Sequence, residues 1–277
     1  MPSMPQSHSK VFSPWRALVA LLSMAATLYV AVIGLLWWKQ ESLLFHPQVL
    51  PAEHAFRLGP DVQEVWVDVP GARLHALHFQ QAQPRGLVFF LHGNAGSLQD
   101  WFVNLDFYRQ AGLDLYMLDY RGYGKSTGQI ESEAQLHADV LATWNSVGVR
   151  YKGLRRVLIG RSLGTGLAAQ LASQVQPDVT VLVSPYFSMQ ALAAEHYPWV
   201  PQRVLRYPLR TDLMLPLLRG TVMLVHGSED RLIEPAHSQR LLALRPGTAL
   251  RIVEGADHND LQRWPAYGQA LAAALDP

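Results

Sequence analysis

The sequence predicts an α/β protein, with a mostly parallel sheet covered by helices on both faces and one N-terminal transmembrane helix ahead of it. Three observations carry this reading. Along residues 64–277, short apolar runs alternate with segments of helical period, the pattern of βαβ units. Glycine-rich turns fall at the ends of those apolar runs, where open parallel sheets gather their sites. Residues 17–38 contain no charged residue.

The chain divides into a tail (1–16), an apolar span (17–38), a connecting arm (39–63) and a large domain (64–277). The tail is polar and reads as loosely held. As a helix, residues 17–38 would be about 33 Å long, enough to cross the hydrocarbon core of a bilayer. Lys10 and Arg16 precede the span; Trp37, Trp38 and Lys39 close it, like an interfacial aromatic belt with a charged stop. A cleaved signal peptide fits less well, because the run is long and Leu35-Leu36-Trp37-Trp38 offers no small-residue cleavage pattern. A buried core helix would keep an amphipathic face, and none is present. Lys10, Arg16 and the amino terminus, set against Lys39 and Arg57, place the N-terminus in the cytoplasm by the positive-inside rule, with the large domain on the other side. In the arm, Leu43-Leu44-Phe45-His46-Pro47 is apolar enough to pack on the domain or on a membrane face.

The domain opens with a predicted hairpin. Val65, Val67 and Val69 alternate with other residues, Pro70-Gly71 turns the chain, and residues 74–79 return. Residues 87–91 form a continuous apolar run, as a strand buried on both faces requires. They end in His92-Gly93-Asn94-Ala95-Gly96-Ser97. A helix is expected through Trp101, Leu105 and Tyr108, then a strand over 113–118 and a helix over 131–147. A strand over 157–160, a helix over 163–174 and a strand over 179–183 follow. After an irregular proline-rich stretch come strands over 222–226 and 249–253 and a last helix over 261–275.

Composition narrows the function. A net charge of +1 gives no sign of a nucleic-acid surface. The absence of cysteine excludes a disulfide framework, a thiolate nucleophile and a Cys-based metal site. No His pair stands at helical i, i+4 spacing with a carboxylate between, which argues against a metal centre.

The chemistry centres on Gly160-Arg161-Ser162-Leu163-Gly164, placed between an apolar strand and a small-residue helix. That context is a nucleophile elbow: a strained strand-to-helix turn that projects a serine hydroxyl, with glycines where a Cβ would clash. A serine needs a base, and the base needs an orienting acid. Each should follow a later strand. Val225-His226-Gly227-Ser228-Glu229-Asp230 supplies the acid and Glu254-Gly255-Ala256-Asp257-His258 the base, giving the order Ser162, Asp230, His258. Glu229 and Glu234 compete with Asp230, which is favoured by its place in His-Gly-x-x-Asp. Asp257 and Asp260 read as loop caps beside His258, and His92 and His226 as residues fixing turn geometry. Two backbone N–H groups should form an oxyanion hole: Leu163, directly after the serine, and Asn94 in the loop after residues 87–91.

With these motifs in place, the chain resembles the α/β-hydrolase superfamily, and more narrowly its membrane-anchored Bem46 and α/β-hydrolase-domain type. The resemblance rests on His92-Gly93-Asn94-Ala95-Gly96, Asp119-Tyr120-Arg121-Gly122-Tyr123-Gly124-Lys125-Ser126, the elbow, Ser184-Pro185-Tyr186-Phe187-Ser188-Met189, His226-Gly227-Ser228-Glu229-Asp230 and His258. It implies an eight-stranded sheet, no cofactor, and hydrolysis of carboxylic esters or thioesters through an acyl-enzyme on Ser162. Arg161 stands where many such esterases carry histidine, and pairing with a nearby carboxylate is the favoured expectation, ahead of binding an acidic group. The segment 184–220 is too short for a large lid; its prolines, with Trp199 and Tyr207, form either an acyl-binding rim or a packed loop. A membrane anchor would bring the site close to lipid or other acyl esters. The rival readings are a serine peptidase or amidase of the same fold, and a membrane-tethered binding protein without chemistry.

Overall fold

A computed structural model describes residues 14–276, and the chain divides between Gln40 and Glu41 into two compact units. The first contains helix α1, Pro14–Trp38, whose 25 residues include none that is buried. Pro14 opens the helix at a position where a missing N–H costs nothing. The apolar helix therefore starts three residues before the predicted boundary at 17; residues 1–13 of the expected tail lie outside the described residues. Its length and a mean hydropathy of 2.3 make it a candidate membrane span.

The second unit is built on a sheet that has eight strands among the described residues: β1 Val62–Val69, β2 Ala72–Phe79, β3 Gly86–Leu91, β4 Leu113–Leu118, β5 Arg155–Arg161, β6 Val179–Val183, β7 Thr221–Gly227 and β8 Ala249–Val253. Their order across the sheet is β1-β2-β4-β3-β5-β6-β7-β8. The pairs β1–β2 and β2–β4 are antiparallel and all others parallel, so the predicted hairpin forms one edge of an otherwise parallel sheet. The apolar run of β3 is buried throughout. Leu87, Phe89 and Leu91 face one core with Leu158 and Leu182; Val88 and Phe90 face the other with Ile159 and Val181. A period of two within an all-apolar strand thus feeds two cores at once.

The first core packs under α2, Glu133–Gly148, and α3, Leu163–Val175; the second packs under α6, Pro265–Leu275. Ser132 caps α2 by accepting the Gln135 N–H at 3.1 Å, which sets the start of the helix two residues after the predicted one. Three other elements depart from the prediction. The helix expected through Trp101, Leu105 and Tyr108 is two short pieces, Leu98–Trp101 and Leu105–Gln110, interrupted where Asn104 takes φ +60°. The last helix begins only at Pro265, after a single turn over Leu261–Arg263, because proline favours the first position of a helix over its interior. The proline-rich stretch holds helix α4, Met189–His196, capped by Ser188.

The segment 39–63 is no free connector. His46–Pro47 adds a short parallel ribbon to Ala95–Gly96, and Val49 bridges Gly124. Phe45 and Leu50 are buried, and Phe45 meets the Tyr207 ring edge-on at 5.2 Å. The buried Phe45 and Leu50 tie the arm to the domain, and the compact unit begins at Glu41. Helix α5, Ala236–Leu244, lies between β7 and β8.

Candidate active site

Parallel register brings the relevant loops together. Leu91 at the end of β3 pairs with Gly160 of β5, which sets the His92 loop beside Ser162. Val253 of β8 pairs with Gly227 of β7, which sets the Asp230 loop beside the His258 loop. Ser228 and Glu229 donate their amides to Val253 O and Ala256 O at 3.0 Å each, locking these two loops to one another. Gly227 is required at that junction, since a Cβ would lie 2.3 Å from Ala256 O.

Ser162 has φ +51° and ψ −119°, a strained conformation for a residue with a side chain. The elbow holds it by close approach on two sides. A Cβ on Gly160 would fall 2.4 Å from Gly164 O, and one on Gly164 would fall 2.1 Å from Leu91 O. Only glycine lets α3 start this close to β3 and β5. Tyr186 secures the start of α3 from beneath, donating to Leu163 O at 2.9 Å and accepting from Gly166 N at 3.2 Å.

The three predicted side chains meet. His258 Nε2 stands 3.1 Å from Ser162 Oγ, and His258 Nδ1 stands 2.7 Å from Asp230 Oδ2. Asp230 Oδ1 accepts the amides of Leu232 and Ile233 at 3.1 and 2.8 Å. Burial alone would raise the Asp230 pKa, but hydrogen bonds from His226 and His258, the charge of His258 and the Ile233 amide outweigh it and hold the carboxyl well below its ordinary range. Glu229 and Glu234, the competing acids, are exposed on the surface. Nδ1 donates to the Asp230 carboxylate, which leaves Nε2 as the nitrogen facing Ser162 Oγ.

The neighbouring residues are placed as follows. Asp257 Oδ1 accepts the His258 amide at 2.6 Å, and Asp260 Oδ1 accepts the Asp257 amide at 2.7 Å. His226 bonds Ser238 Oγ and Ile233 O, both at 2.7 Å, and braces the loop that carries Asp230. His92 Nδ1 donates to Gly93 O at 2.7 Å. Gly93 O and Asn94 N–H belong to one planar trans peptide, so this bond also fixes where the Asn94 N–H points. The Asn94 carbonyl is held from the other side, by Tyr123 Oη at 2.6 Å and His46 N at 2.8 Å. The Leu163 N–H heads α3, where no intrahelical acceptor exists.

Arg161 departs from expectation. It forms no ion pair among the described residues. Its Nη2 donates to His258 O at 3.0 Å and its guanidinium lies over the Trp101 ring, 5.4 Å from the centroid. No carboxylate pairs directly with Arg161 among the described residues, although the charge of Asp230 acts on it from further off. The segment 184–220 also divides in two. Tyr207 is fully buried and donates to Glu41 at 2.7 Å, as packing, while Tyr197 and Trp199 are exposed. Tyr123 and Tyr186 have positioning roles that the residue-level reading missed, although both stand inside motifs quoted for the resemblance. No group of three or more His, Asp or Glu suited to a metal occurs among the described residues.

Residues 82–217 match the family model described as serine aminopeptidase, S33. An uncharacterized protein of Mycobacterium tuberculosis is 31% identical over 251 residues, 87% of each chain. Alpha/beta hydrolase domain-containing protein 17B of Xenopus laevis is 31% identical over 192 residues, 66% of this chain and 63% of its own length. The chain belongs to the α/β-hydrolase superfamily. Its fold recurs in a solved bacterial membrane phospholipase A, with a TM-score of 0.61, 18% identity, and coverage of 94% of this chain and 97% of that one. The eight-stranded sheet that the resemblance implied is the one seen among the described residues.

Proposed function

We propose that this α/β hydrolase is a membrane-anchored serine esterase acting through an acyl-enzyme on Ser162. The observation that carries the reading is the hydrogen-bonded line Asp230–His258–Ser162, ending on a strained elbow. His258 Nε2 takes the Ser162 proton as Oγ attacks the substrate carbonyl. The N–H groups of Leu163 and Asn94 receive the developing oxyanion. The C–O bond to the leaving alcohol breaks as His258 returns the proton to it. Water, deprotonated by the same imidazole, then releases the acid and restores Ser162. The chemistry needs no cofactor.

Helix α1 is proposed as the anchor, with the N-terminus in the cytoplasm and the domain opposite. An anchor of this kind brings lipid and other long-chain acyl esters or thioesters close to the site, and the phospholipase name of one structural neighbour is in keeping with this. The description of the family model favours a second reading, an aminopeptidase or amidase using the same three residues. A matched set decides between them: one acyl group presented as ester, thioester and amide to the full-length protein. The esterase reading expects ester or thioester turnover well above amide turnover. Amide cleavage at an equal or greater rate would transfer the assignment to the second reading.

A further inference from the structure

On the face of the sheet that carries α6 lies a cavity of about 1000 Å³. Its floor is apolar, formed by Phe90, Tyr108 and Leu271. Ser162 and His258 do not line it. Yet three of its wall residues, Ala95, Arg161 and Asn259, are the chain neighbours of Asn94, Ser162 and His258.

The charges around this space are unevenly satisfied. Asp61 and Asp106 both pair with Arg109, and Asp100 accepts the Ser97 amide. Arg161 is only 8% exposed, gives one N–H to the His258 carbonyl, and makes no ion pair among the described residues. An arginine keeps its charge even when buried, and a buried cation without a direct ion-pair partner is costly. The cavity wall thus holds a guanidinium with no directly paired carboxylate, only the more distant charge of Asp230, beside an apolar floor.

A second feature points the same way. Gly268, the fourth residue of α6, also lines the cavity, and a Cβ added there would meet nothing within 4 Å. Packing does not require this glycine, and a glycine inside a helix weakens it relative to alanine. What it does is keep the cavity wide.

We propose that this cavity binds a monoanionic amphiphile, a fatty acid, with its carboxylate on Arg161 and its chain along Phe90, Tyr108 and Leu271. One planar guanidinium offers a two-pronged site that matches a carboxylate. The aspartates around the rim oppose a dianion such as a phosphate monoester. Because the same guanidinium holds the His258 carbonyl, occupancy is linked to the geometry of the loop that carries His258. The inference goes beyond the esterase reading, and the two meet in that a fatty acid is the product an ester hydrolase would release.

The test is binding of radiolabelled decanoate to the full-length protein in nanodiscs, carrying Ser162→Ala so that turnover plays no part, with empty nanodiscs subtracted. Saturable binding of one decanoate per chain is expected. Arg161→Gln should weaken it at least tenfold, Arg161→Lys less, and Gly268→Phe should block it by filling the space. Decanol should not compete. Thermal melts of each variant separate loss of the site from loss of the fold. Equal binding by wild-type Arg161 and Arg161→Gln, competition by decanol as strong as by decanoate, or no saturable binding would each overturn the proposal. Failure of the esterase reading is read separately, as absence of ester turnover in the Ser162 form with decanoate binding intact.

Discussion

Ser162 holds a left-handed backbone conformation that only its surroundings make tolerable, and each surrounding residue has a definable task. Ser162→Ala should lower ester turnover by roughly 10⁴-fold or more while leaving the melting temperature nearly unchanged, measured by steady-state kinetics and calorimetry. Gly164→Ala should do the reverse damage. Its Cβ would meet Leu91 O at 2.1 Å, so β3 and α3 must separate, and urea unfolding should show a loss of about 2 kcal/mol or more. At this scale much of the candidate site was legible. A serine between two glycines, an acid and a histidine, each directly after a strand, announce themselves by chain order. Arg161 was not legible in the same way. Its acceptor is a backbone carbonyl 97 residues further along, and carbonyls carry no signature of residue type. The motif His-Gly-x-x-Asp pointed to Asp230 over Glu229 and Glu234, and the loop turns Asp230 inward while both glutamates stay exposed.

At the level of elements, strands were read well because an all-apolar run of five or six residues has few other fates in a chain of this length. Breaks inside helices were read poorly. Asn104 at φ +60° stands in the break between two short helices that the apolar spacing would have joined, as the N-cap of the second, and nothing in periodicity reports a single left-handed residue. Asn104→Ala should lower stability by about 1 kcal/mol in chemical denaturation, whereas Asn104→Gly should be nearly neutral. A buried relay crosses β2 and β4: Gln80 donates to His78 Nδ1, His78 Nε2 meets Tyr151 Oη at 2.8 Å, and Tyr151 donates to Asp114. Burial, aided by the charge of Arg150, lowers the His78 pKa to about 4. An unfolded histidine takes up its proton near pH 6.5 and the folded one does not, so the unfolded state gains on acidification. Stability should therefore fall as pH drops from about 6.5 to about 4, by at most about 3 kcal/mol. His78→Gln should flatten that segment of a pH–melting curve; an unchanged slope would exclude His78 as its source.

For the whole molecule, the sheet buries two cores and gathers every candidate group at one end, while α1 stands as a separate apolar unit. The domain was legible as an α/β unit, but its beginning was not. The arm over 39–63 lacks strong period, and its ribbon with Ala95–Gly96 depends on a partner nearly fifty residues away. Full-length protein should stay in the membrane pellet through an alkaline carbonate wash, with its N-terminus uncleaved by mass spectrometry. A C-terminal reporter that fluoresces only in the cytoplasm should stay dark. Release by the wash would remove the anchor from this account, and a lit reporter would reverse its orientation.

The central claim is that Ser162, activated through His258 and Asp230, is the nucleophile. Its most direct test is fluorophosphonate labelling of the full-length protein, followed by peptide mapping. The account predicts one adduct, on Ser162, absent in Ser162→Ala and strongly slowed in His258→Ala and Asp230→Asn. A folded protein that takes no label, or a Ser162→Ala variant labelled as fast as the wild type, would contradict it.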